Sequence, residues 1–223
     1  MMEDNLHRGM ANQKLCAIAE NLKTGVRVLE LQPSNYFLDK FVSFDLSSLS
    51  SNNTGKREIS SKWVNAFILN SAFRYKFEEP KRLLIMNLLR RVESSFHQYN
   101  LGSSQLDEYL LGDKRGISRY FSAVVCFEIA LSHLYQAYMF GQRLTGIKLF
   151  NSNDNSSLDR LNKLYNISKH YDGTVSKGEI DEVNTIPIWI TNEGFKSIDK
   201  FLSYNEVHEM MNEMEYISNE LIK

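Results

Sequence analysis

The chain has 223 residues, 43% hydrophobic and 24% charged, enough apolar material to bury a core in one domain with an appendage or in two small domains. Its formal net charge is -1, so it lacks the basic footprint on which duplex DNA binding rests, and no duplex DNA partner is expected. Its two cysteines, Cys16 and Cys126, share no short spacing with the five histidines; no zinc-ligand set and no cofactor are expected, and Cys126 reads as a small core residue.

In chain order, the N-terminus lacks the long apolar run of a signal peptide, which suggests a reduced, cytoplasmic protein. Residues 1–58 read as an extension. Gly25 to Pro33 alternates like a short strand, but its phase slips at Val28-Leu29, where a bulge is required. The aromatic stretch Ser34 to Phe44 suits a small cap or a partner surface. Ser47 to Ser61 is Ser/Asn-rich and reads as a loop or linker.

The remainder, 59–223, reads as a helical domain. A helix is expected to begin near Ser61, with Trp63, Val64, Phe67 and Ile68 at helical spacing. Pro80 suits the start of another. Its stripe of Ile85, Leu88, Leu89, Val92, Phe96 and Tyr99 predicts a helix over 80–99, stopped by "NLGSS". The stretch 117–140 is apolar on most sides, the mark of a buried helix. Its polar stripe is Glu128, Ser132 and Gln136, which is too polar for a membrane span, and buried Glu128 requires a donor or a cation. A helix over 157–171 follows a cap-rich loop, with Gly173 as its stop. Ile186 to Ile198 alternates around a "TNEG" turn and predicts a β-hairpin, or a strand plus turn. The last helix, 203–222, starts with a Ser203–Glu206 capping box. Four long amphipathic helices predict a mainly α protein, a four-helix bundle with N-terminal additions.

Three groups of residues invite a chemical reading. Asn162, Asn166 and His170 share a face of the 157–171 helix, bordered by Lys169. Histidine is a natural general base near neutral pH, and lysine suits a phosphate; the bland alternative is a polar seam with Glu128 and Gln136 opposite. Arg91 and His97 on the 80–99 helix suit RNA cleavage, but such spacing is common by chance, and a solvated face beside Glu93 is the simpler reading. His208, Glu209 and Glu213 resemble a metal box only loosely, since Asn212 stands where a second histidine belongs; these residues read as a solvated face.

"FEIALSHLYQAYMF" (Phe127 to Phe140), "DRLNKLYNISKHYDG" (Asp159 to Gly173) and "IPIWITNEGF" (Ile186 to Phe195) together resemble a bacterial group of HEPN-like proteins, over about residues 80–222. The resemblance implies a HEPN-type four-helix bundle, dimerised through its central helices. It implies metal-independent endoribonuclease activity in defence, toxin–antitoxin or RNA-processing systems, with RNA or an antitoxin-like protein as partner. The family site is an arginine, a polar residue next to it, and a histidine four to six residues beyond the arginine. Asn166 and His170 match the last two, with Lys169 as added charge; Tyr165 stands where the arginine belongs. Arg91 and His97 are the second-ranked pair. A non-catalytic dimerisation or protein-binding module is the alternative.

Overall fold

Among the described residues the chain forms six helices and a small sheet. The structure, a computed structural model, describes residues 54–59, 62–74, 77–112, 117–179 and 186–223, all within one compact unit of the chain. The helices are α1 Trp63–Arg74, α2 Lys81–Leu111, α3 Ile117–Thr145, α4 Ser157–Lys169, α5 Tyr171–Ser176 and α6 Tyr204–Ile222. Strands β1 Trp189–Ile190, β2 Gly194–Lys196 and β3 Phe201–Ser203 precede α6. The expected strand at Gly25 to Pro33, the aromatic stretch Ser34 to Phe44 and most of the 47–61 loop lie outside the described residues.

The spine is an antiparallel hairpin of α2 and α3, the most extensive contact between elements. Its register shows in Ser95, whose hydroxyl donates to the Ala130 carbonyl at 3.0 Å, and in the Tyr109–Tyr120 ring pair at 5.7 Å. α6 and α1 pack against α2 and each other, and α4 lies on α3. The core stripe predicted for 80–99 is buried, Ile85, Leu88, Leu89, Val92, Phe96 and Tyr99 on α2; on α6 Val207, Met210, Met211 and Met214 are buried and Ile217 and Leu221 half-buried. α3 is long and apolar enough to cross a membrane by length and composition, yet 44% of its most apolar window is buried inside the fold.

Two expectations need correction. α2 does not stop at "NLGSS"; it runs on to Leu111. Gly102 is buried in mid-helix against the Phe127 ring, which a Cβ would meet at 3.1 Å. Asn100 in the same stretch holds the segment before α1: its Nδ2 donates to the Arg57 carbonyl and its Oδ1 accepts from the Arg57 N–H, both at 2.6 Å. Residues 55–59 carry neither helix nor strand, as expected of a loop, and Asn100 ties them to α2. Second, α4 ends at Lys169 and a short α5 follows, with Gly173 inside it; the turn comes at Gly178, whose φ is +68°. The helix expected to begin near Ser61 is present as α1. Trp63 and Phe67 are buried, though Ile68 is exposed, and Glu93 accepts the Val64 N–H at 2.8 Å at the start of α1.

The expected hairpin is present as β1–β2, turning at Thr191 to Gly194, and β3 adds a third antiparallel strand. The capping box is present as predicted, with Ser203 and Glu206 bonded reciprocally. β3 therefore runs straight into α6.

The cap-rich loop before α4 folds around one carboxylate. Asp159 is fully buried, accepts the N–H groups of Asn153 at 3.1 Å and Asn155 at 3.2 Å, and pairs with Lys163 at 2.6 Å. Burial alone raises its pKa, but the Lys163 ammonium and the two amides outweigh it, and the carboxyl titrates below the usual range. A depressed folded pKa contributes stability above the unfolded value of about 3.9, and that stability fades as pH falls through the folded pKa. Asp159→Asn is expected to cost about 2 kcal/mol at pH 7. In urea titrations repeated from pH 7 to pH 2.5, the gap between wild type and variant should close at the acid end.

Candidate functional site

The polar face of α4 is assembled as its spacing implies, up to the last residue. Asn166 Nδ2 donates to Asn162 Oδ1 at 2.9 Å, one turn apart. Asn166, Lys169 and His170 are exposed. His170 lies just beyond the helix as its C-cap, with φ −119° and ψ 27°, and its N–H donates to the carbonyls of Asn166 and Ile167.

The Glu128 stripe is half-buried, as expected, and the required donor is the backbone N–H of Ile188. Burial is the larger effect and pushes the carboxyl up to about 7. His170 is not its partner: the neighbouring Tyr171 phenol lies close enough to feel the Glu128 charge. Ser132 and Gln136 continue the stripe, both half-buried.

Arg91 and His97 are not brought together. Six residues turn a helix through about 240° in net rotation, so they point to different sides. His97 is exposed, while Arg91 reaches across to α3, its Nη1 at 2.8 Å from His133 Nδ1. A guanidinium only donates, so Nδ1 accepts and the proton of a neutral His133 sits on Nε2. Burial, Arg91 and Arg90 all push His133 below its ordinary pKa, which favours that neutral ring.

Arg91 links this pair to α4. Burial and Arg90 lower its pKa, while the Tyr165 phenol lies close enough to favour its charge. Tyr165 packs on Tyr135 with ring centroids 4.7 Å apart, and Lys169 Nζ sits 5.9 Å from the Tyr165 centroid. Among the described residues no carboxylate pairs with Arg91, Arg90 or Lys169. The result is a surface where three helices bring together Arg90, Arg91, His133, Tyr165 and Lys169.

No family model, curated protein or solved structure matches this chain. The face carries donors and cations suited to an anion, with an exposed imidazole at its edge.

His208 is not part of a solvated face. Its Nε2 lies 2.8 Å from the Tyr99 hydroxyl and 2.8 Å from the Thr54 carbonyl, and the Tyr99 hydroxyl also donates to that carbonyl at 2.6 Å. This is a structural knot that fastens the segment before α1. Glu209 is exposed, and exposed Glu213 accepts from Tyr138 at 2.5 Å. No three His, Cys, Asp or Glu side chains cluster among the described residues in a way that suits a metal ion.

Sequence reasoning missed His133, Tyr135 and the cross-helix role of Arg91. The one available signal was the antiparallel pairing of α2 with α3, which sets position 91 opposite 133.

Proposed function

We propose that this chain is a HEPN-like endoribonuclease of a defence or toxin–antitoxin system, acting as a homodimer without a metal. The observation that carries the reading is the Arg91 guanidinium held on His133 of α3, without a carboxylate partner among the described residues, while Tyr165, five residues ahead of His170, packs on Tyr135 of the same helix. The resemblance places an arginine at the Tyr165 position; here α2 supplies the guanidinium from outside. His170 takes the 2′-hydroxyl proton, and the freed oxygen attacks the neighbouring phosphorus. The bond to the 5′-oxygen breaks, leaving a 2′,3′-cyclic phosphate and, after protonation by Lys169 or water, a 5′-hydroxyl end. Arg91 offsets charge developing on the non-bridging oxygens.

Tyr165 in place of arginine favours a second reading, a non-catalytic dimerisation or protein-binding module. Incubating the purified full chain with total RNA in EDTA separates the two. Cleavage by wild type, reduced at least about 10²-fold in a folded His170→Ala variant, supports the nuclease. RNA left intact by wild type under every condition sinks it and leaves the module reading.

A further inference from the structure

The Arg91–His133 pair has donors left over. Arg91 uses Nη1 on His133, and its Nε is enclosed without a partner. Among the described residues, Arg91 Nη2 and His133 Nε2 have no hydrogen-bond partner, and neither is one of the enclosed unpartnered polar atoms. A half-buried guanidinium with an idle Nε and no carboxylate is an uncompensated charge, costly to keep. The surroundings add charge of the same sign: Arg90 is exposed on α2, and Lys169 is exposed beside Tyr165. Such a site fits an anion that accepts from two separate donors and is not supplied by the described protein. A tetrahedral phosphate presents two non-bridging oxygens, and arginine's planar fork suits it better than a point charge.

We infer that Arg91 and His133 form a phosphodiester-binding subsite, Arg91 Nη2 and the His133 Nε2–H each donating to a non-bridging oxygen of an RNA backbone phosphate. His133 is thereby a positioning donor rather than a base, because its Nδ1 is already taken by Arg91. That RNA owns the phosphate rests on the nuclease reading; the donor arrangement does not.

A 2′-O-methyl oligoribonucleotide lacks the nucleophile and isolates binding from cleavage. Its affinity for the full chain is measured by fluorescence anisotropy for wild type, Arg91→Lys and His133→Phe, with folding checked by circular dichroism. Each variant is expected to bind at least about tenfold more weakly, since a charge-assisted hydrogen bond contributes on that scale. Arg91→Ala should also flatten the dependence of log K on log salt by about 0.7, one phosphate contact on a single strand. A methylphosphonate oligonucleotide, whose backbone is neutral, should not bind. Wild-type affinity in folded Arg91→Lys and His133→Phe overturns the subsite, as does a wild type that binds neither oligonucleotide. Binding that depends on both residues in a chain that never cuts RNA upholds the subsite and sinks the nuclease reading alone.

Discussion

Phe127→Ala is expected to lower stability by about 3–5 kcal/mol, read as the shift of the urea midpoint by circular dichroism. Phe127 is 1% exposed, and its ring lies 5.2 Å from that of Tyr99 on α2 and 4.9 Å from that of Phe195 on β2. It thus joins the helical hairpin to the sheet, and Phe195 carries the contact on to Tyr204 of α6 at 5.1 Å. Truncation leaves a cavity that helices of this length cannot collapse into without breaking their own hydrogen bonds. Gly102 is the other half of the contact. Gly102→Ala adds a Cβ 3.1 Å from the Phe127 ring and should cost about 1–3 kcal/mol, although alanine is the better helix former. An increase in stability for Gly102→Ala would mean that the helices are not this close.

The same contact explains what was readable in the sequence. The apolar stripes of α2 and α6 are periodic, so both helices and their buried faces follow from spacing alone. The end of α2 does not, because Gly102 is a stop signal or a packing glycine depending on whether a ring 25 positions later covers it. β3 is three residues long and adjoins the cap of α6, too short for alternation to register. The site divides in the same way. Asn162, Asn166 and Lys169 lie on one local helix and were legible, whereas Arg91 and His133 meet across 42 residues through the hairpin register. Spacing along one helix pointed to His97 instead, which faces away.

Replacing Gly194 is expected to do the most damage of any single methyl added to the described fold. A Cβ there would lie 2.2 Å from the Leu202 carbonyl oxygen and 2.7 Å from the Ser203 Cα. Both are backbone atoms of β3, so no rotamer change relieves the clash. Gly194 pairs with Ser203 in the sheet register, and Ser203 is the N-cap of α6. Moving β3 therefore disturbs the β2–β3 ladder and the capping box together, and with them Leu202 and Phe195, both fully buried. Gly194→Ala should lose about 3 kcal/mol or more, at the upper end for small-to-large changes, and melt well below wild type. Gly173→Ala is the matched control: a Cβ there meets nothing within 4 Å, and the position is helical, so alanine should be neutral or stabilising by up to about 1 kcal/mol. Equal melting temperatures for Gly194→Ala and wild type would mean that β2 and β3 do not pair in this register, and the route by which the sheet positions α6 would have to be redrawn.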